Sequence, residues 1–426
     1  MLTKTLQSIS ELQFINNTNK ISANPLDRLP DNVRNDILSP SNISSHDKLF
    51  FDVHAHSFTL NNIPGDYSKL LNWFTKVLGK TFRKWISGLL QLPFTKNRSK
   101  EVMDTLIDNY DSYFMDNNIS PHLFVVNLMM DMERSIGGGI KSNFDKQLKE
   151  LSNIMKLSYT PGSIGASGRV YNYNEVVLPF LAIDPHNPDA CRQFISAFSP
   201  GLNLTSNPAF NADQLFYGIK LYPSLGYLPY DPVLMSIFKV CEAKNIPITT
   251  HAGGVRTRAN HFKFELGDYS KPKGSQYVTR DVKSKKEFKN VFLYPMHWEK
   301  VLKEYPNLKI NFAHMGSSTE WKDYINGDRT ISNSIVQSLQ MIKKYPNVYC
   351  DISYSLHDEN NQEMILQLMK NDDYKSKILF GSDYFLVDLE HGSIETFVKS
   401  IRKKFKSNRN LWHMLTVKNP FNFLFS

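Results

Sequence analysis

The 426-residue sequence has only three cysteines, Cys191, Cys241 and Cys350, far apart and without CxxC spacing. That scarcity excludes a disulfide framework and a cysteine-built metal or redox motif. No stretch approaches the roughly 20 apolar residues needed to cross a bilayer, which argues against a membrane bundle. The opening MLTKTLQSISELQF lacks the apolar run of a secretory signal, so the cytoplasm is the expected compartment. The first apolar run is not followed by a Gly-rich dinucleotide turn, which counts against an open doubly wound sheet. There is no nucleic-acid motif either. A formal net charge of +9 arises from 50 Lys and Arg against 41 Asp and Glu. These are intermixed, as on an ordinary solvated surface, and lack the clustering that nucleic acid requires. Neither nucleic acid nor a membrane is expected as a partner.

What the chain does have is a large apolar fraction, 41%, and a regular rhythm. Residues 1–47, rich in Asn, Ser, Pro and Asp, read as an N-terminal extension that wraps the domain. From 48 to 426 short apolar runs alternate with helical stretches. The runs are LFFDV before His54, HLFVVNLM near 122–129, VVLPFLAI near 176–183 and FYGIKLY near 216–222. IPITT before His251, LKINFA before His314, VYCDIS near 348–353 and KILFGS before Asp383 complete the set. Several are fully apolar, as expected of parallel strands buried on both faces. Eight such strands separated by helices predict an α/β fold of (β/α)8, or TIM-barrel, type.

Two insertions interrupt the rhythm, a helical one at 57–121 after the first strand and a loop at 252–295 after the fifth. In the first, Leu70, Phe74, Val77, Leu78, Phe82, Trp85 and Leu89 share one helical side opposite Lys69, Lys76, Lys80 and Arg83. Such a helix packs on the barrel, forms a lid or dimer contact, or rests on a membrane surface. Loops after barrel strands lie on the catalytic face, so both insertions are placed to shape substrate access.

His54 and His56 end the first run. Residues two apart on a strand point the same way, so both imidazoles can meet one cation at the C-terminal mouth. Alone, His-x-His also occurs on exposed strands. Here His251, His314 and Asp383 end three further runs, and a purely structural role for all five becomes hard to sustain. Lys220 ends the fourth run. It is a carboxylated lysine bridging two metals, an ammonium that binds a substrate carboxylate, or a salt-bridged structural residue. Arg256 and Arg258 follow the fifth strand and are placed to clamp an anionic substrate, although surface solvation explains them equally well. Tyr222 and Tyr384 are expected to turn away from the lumen, Asp184 to cap a helix, and His297 to be structural.

Together FDVHAH, YGIKLYPSLGYLPYDP, PITTHAGG, WEKVLKEYPNLKINFAHMG, ILFGSDYF and the closing VKNPFNFLF resemble the amidohydrolase superfamily. The likeness, across about 48–426, is to its amidohydrolase 2 branch, which includes aminocarboxymuconate-semialdehyde decarboxylase-like proteins. It implies that His54, His56, His251 and Asp383 bind a divalent metal, one Zn ahead of Mn or Fe. His314 would contact the activated water or the substrate, or join a second metal in a binuclear site. Such an ion lowers the pKa of bound water from 15.7 towards about 7. Asp383 would then carry the proton and His314 polarise the electrophile. The implied activity is hydrolysis of an amide, ester or lactone in a small carboxylated or cyclic molecule. The alternatives are non-oxidative decarboxylation of an aromatic or semialdehyde acid, and a silent barrel used for binding. A homodimer is the oligomer that such barrels often form.

Overall fold

A computed structural model describes residues 29–39, 41, 43, 47–57, 98–133, 144–162, 167–187, 189–198, 215–252, 262–267, 277–384, 387 and 393–426. The stretch of the first insertion expected to form an amphipathic helix falls within 58–97, outside these residues, as do Arg256 and Arg258.

Eight parallel strands form one sheet in sequence order. They are β1 (Leu49–Ala55), β2 (His122–Leu128), β3 (Val177–Ile183), β4 (Gly218–Leu221), β5 (Ile248–His251), β6 (Ile310–Ala313), β7 (Val348–Asp351) and β8 (Ile378–Leu379). The sheet returns on itself where the Val53 amide donates to the Phe380 carbonyl at 3.0 Å and the Asp383 amide to the His54 carbonyl at 2.7 Å. The fold is a (β/α)8 barrel, as the alternation predicts. Each apolar run became a strand because its side chains are buried on both faces, by the lumen and by the helices.

The outer layer contains α1 (Asp31–Leu38), α2 (Arg98–Asp116), α3 (Phe144–Ile154), α4 (Ala190–Phe198), α5 (Pro232–Ala243), α6 (Glu299–Glu304), α7 (Ser318–Ile325), α8 (Ser334–Lys344), α9 (Glu359–Met369), α10 (Ile394–Lys404), α11 (Arg409–His413) and α12 (Asn419–Phe425). Their starts follow from local chemistry. Asp231 caps α5 by accepting from the Val233 amide, with Pro232 in the first turn where its missing N–H is harmless. Ser317 and Glu320 form a reciprocal capping box on α7. Glu320 also holds Lys289 at 2.7 Å, tying the insertion after β5 to the barrel.

One apolar cluster joins Phe51, Phe124, Leu178, Phe180 and Leu379 of the strands to Phe423 and Phe425 of α12 and to Val33 and Ile37 of α1. Phe51 and Phe124 stack at 4.8 Å, and burying each such ring contributes about 1.5–3 kcal/mol. The described part of the N-terminal extension thus inserts apolar residues into the barrel core. Asn419 donates to the carbonyls of Lys375 and Ile378, both at 2.8 Å, pinning α12 to the start of β8. The insertion after β5 is more ordered than a loop: Phe262–Gly267 pairs antiparallel with Tyr277–Val282.

Candidate functional site

The strand ends expected to converge do so. The rings of His54 and His56 lie 5.1 Å apart, those of His54 and His314 4.6 Å, and those of His251 and His314 4.9 Å. Donor atoms of His54, His56 and Asp383 lie within 4.8 Å of one another. Asp383 reaches His56 Nε2 at 3.9 Å with one carboxylate oxygen and His314 Nδ1 at 3.8 Å with the other.

Backbone conformation helps to aim these groups. His314, Met315, Tyr354 and Asp383, just beyond β6, β7 and β8, have φ of 68, 45, 60 and 50°. Side-chain-bearing residues seldom hold this left-handed region, and such strain concentrates where geometry matters more than stability. Gly381 serves the same convergence, since a Cβ there would stand 2.7 Å from that of His54 and 3.2 Å from that of Ser353.

The hydrogen bonds assign the tautomers. His56 Nδ1 donates to the Leu128 carbonyl at 2.8 Å. His54 Nδ1 faces an oxygen of Asp351 at 3.0 Å and therefore carries the proton. In their neutral forms both rings then turn bare Nε2 atoms toward each other, 3.2 Å apart. Two lone pairs at that distance repel unless a cation lies between them. Two nitrogens bound tetrahedrally at about 2.05 Å would stand about 3.3 Å apart. The His54, His56 and Asp383 donor set fits a divalent ion, while His251 stands outside that group with its ring beside that of His314. Burial lowers the pKa of both His56 and His314 well below the usual imidazole value, with neighbouring imidazoles adding to the effect. Ligands of this kind must be neutral.

Two acids were missed in the sequence. Asp351, at the end of β7, accepts from His54 Nδ1, Asn311 Nδ2 (2.7 Å) and the His314 amide (2.9 Å). Burial pushes its carboxyl up, but His54 and His314 outweigh this and hold it far below the usual range. Asp52 accepts from the His54 and Ser382 amides at 3.0 and 2.9 Å and from the Tyr110 hydroxyl at 2.7 Å. The register of β1 against β2 shifts between Asp52 and Ala55. Around that irregularity Asp52 serves the helix side and His54 the lumen. The signal available was an acid inside an otherwise apolar run, FFDV and VYCD.

Lys220 lies on β4 beside Thr249 of β5. It is 2% exposed, and its Nζ has no hydrogen-bond partner among the described residues. Burial lowers its pKa to about 8 against the pull of Asp351 and Asp383. A salt-bridged structural lysine is not what the structure contains. Tyr222 corrects another expectation. The strand ends at Leu221, and the Tyr222 ring packs 5.0 Å from that of His251 instead of leaving the lumen. Tyr384 is buried in the outer core. Asp184 does not cap α4, which starts six residues later; it accepts from the His186 amide and Nδ1 at 3.0 and 2.9 Å in a local turn. His297 bonds the Asn290 carbonyl at 2.7 Å and is structural. Among the described residues no helix is long and apolar enough to cross a membrane.

A search of curated proteins finds no match to the chain. Among solved structures, the chain is similar to a probable 2-pyrone-4,6-dicarboxylic acid hydrolase from Acinetobacter baumannii, at 10% identity and TM-score 0.46, covering 88% of this chain and 98% of that one. It is also similar to 5-carboxyvanillate decarboxylase from Novosphingobium aromaticivorans complexed with manganese, at 11% identity and TM-score 0.43, covering 91% and 98%. Dihydroorotase from Campylobacter jejuni aligns at 13% identity and TM-score 0.40, covering 88% and 83%. The family model described as amidohydrolase matches residues 174–399, more than half of the chain. The chain belongs to the amidohydrolase family, a family of enzymes, in its amidohydrolase 2 branch.

Proposed function

We propose that the chain is a metal-dependent hydrolase that acts through an activated water on an amide, ester or lactone of a small molecule, one that is cyclic or carries a carboxylate. The observation that carries this reading is the pair of bare Nε2 atoms of His54 and His56, 3.2 Å apart beside the Asp383 carboxylate. His54, His56, His251 and Asp383 would hold one divalent ion, Zn ahead of Mn or Fe. When bound, such an ion acts as a Lewis acid and brings water toward ionisation at neutral pH.

The remaining steps belong to side chains. Asp383 accepts the proton of the attacking water and passes it to the leaving group. His314, kept neutral by burial, donates from Nδ1 to the Ser353 carbonyl at 3.2 Å and so offers a bare Nε2 that accepts a hydrogen bond from the attacking water. Lys220, a buried ammonium without a hydrogen-bond partner among the described residues, receives a substrate carboxylate. Arg256, on the segment after β5, is proposed to close on the same anion.

The reaction class is tested with purified enzyme in 18O-labelled water on a panel of cyclic amides, lactones and aromatic acids. Incorporation of label without CO2 supports hydrolysis. Release of CO2 without label from an aromatic or semialdehyde acid would establish the decarboxylase instead.

A further inference from the structure

A second concavity lies in the helical layer, about 13 Å along β1 from His54 at 3.3 Å per residue. It encloses about 260 Å³ and is lined by Phe50, Tyr113, Asn117, Arg402, Arg409 and Trp412, among others. Phe50, Tyr113 and Trp412 are 2–4% exposed and form an aromatic back wall. The only acid among the described lining residues is Asp47.

The arginines set this concavity apart from the surrounding surface. Two other cations of α10 are paired, Lys399 with Glu395 at 2.6 Å and Lys404 with Glu359 at 3.1 Å. Arg402 instead lays its guanidinium 5.3 Å from the Trp412 ring centroid. Its Nη1 is shut from solvent without an acceptor among the described residues. Arg402 is half-buried and lines the concavity, and the fixed fork of its guanidinium matches the paired oxygens of a carboxylate or phosphate. Arg409 stands exposed at the rim. Two cations, one acid and an aromatic wall define the complement of a ring bearing a negative charge. The volume is just under the usual range for larger ligands and suits a single ring.

We propose that this concavity is a second ligand site, separate from the histidine cluster, for a one-ring aromatic anion. The anionic group, carboxylate or phosphate, sits on Arg402 and Arg409, and the ring lies against Phe50 and Trp412.

The test is calorimetric titration of the full chain with benzoate, phenyl phosphate and neutral benzamide. Wild type is compared with Arg409→Glu, Arg402→Lys and His54→Ala. The expected result is saturable binding of at least one anion, at least tenfold tighter than benzamide and unchanged in His54→Ala. Which anion binds separates a carboxylate from a phosphate ligand. Arg409→Glu decides the matter because it alters an exposed rim residue and leaves the core intact. Affinity at least tenfold weaker there, and in Arg402→Lys, supports the site. Undiminished binding in Arg409→Glu, equal binding of benzamide, or no saturable binding of either anion overturns it.

Discussion

His54 Nδ1 and Asp351 Oδ2 stand 3.0 Å apart, both wholly buried, although 297 residues separate them in sequence. The carboxylate fixes the imidazole proton on Nδ1 and so leaves Nε2 as a lone-pair donor facing His56. This is the carboxylate–histidine arrangement that orients a metal ligand and raises its basicity. Asp351→Asn keeps the shape but removes the charge that selects the tautomer. Metal affinity is expected to fall about 10–100-fold, with the far-ultraviolet circular dichroism spectrum unchanged. Competition titration with a chelator reads the affinity, and wild-type affinity in this variant would dismiss the positioning role.

Gly381 is predicted to be intolerant of any side chain. A Cβ there meets that of His54 at 2.7 Å, closer than carbon atoms pack, and neither is the end of a flexible chain. Gly381→Ala should displace His54 from His56, reducing bound metal at least tenfold and destabilising the fold by about 1–3 kcal/mol. Metal per chain and a urea titration measure the two effects. A variant with full metal content would show that β8 does not set the His54 position.

Lys220→Met should separate stability from function. The substitution replaces a buried amine that has no hydrogen-bond partner among the described residues with an apolar side chain of similar length, which is expected to stabilise the fold by about 2 kcal/mol. The same change removes the proposed seat for a substrate carboxylate, so KM for carboxylated substrates should rise at least tenfold while neutral analogues change little. Equal KM changes for charged and neutral substrates would take Lys220 out of recognition.

Lys309 makes stability depend on pH from outside the site. It is 5% exposed, its Nζ has no partner among the described residues, and burial alone lowers its pKa from 10.5 to about 8. Between those values the unfolded chain holds a proton that the folded chain lacks, so this residue makes stability rise with pH. Below pH 8 the folded protein carries the full penalty of a buried charge. Lys309→Met should therefore stabilise the protein by about 2–3 kcal/mol at pH 7, with the gain fading toward pH 10.5. A gain independent of pH in thermal melts would show that packing, not charge, is responsible.

The barrel was readable in the sequence because burial on both faces of a parallel strand leaves an unbroken apolar run. All eight runs are strands, and His54, His251, His314 and Asp383 stand at or just past the ends of four of them. Asp351 and Asp52 were overlooked because one acid in a short run carries no periodicity, and its partners come from distant strands. Tyr222 was misplaced because it was treated as an immediate neighbour of Lys220; it stands two residues on, and residues two apart on a strand point the same way. The turn made by Asp184 depends on His186, a side chain–backbone competition that helix patterning does not register.

His54, His56, His251 and Asp383 are proposed to hold one catalytic metal ion. Elemental analysis of metal per chain, on protein purified without chelators, tests it most directly. About one divalent ion per chain in wild type, falling to near zero in His54→Ala, is the predicted result. A wild-type chain that contains none, and takes none up when Zn, Mn or Fe is supplied, would contradict a metal site at these residues.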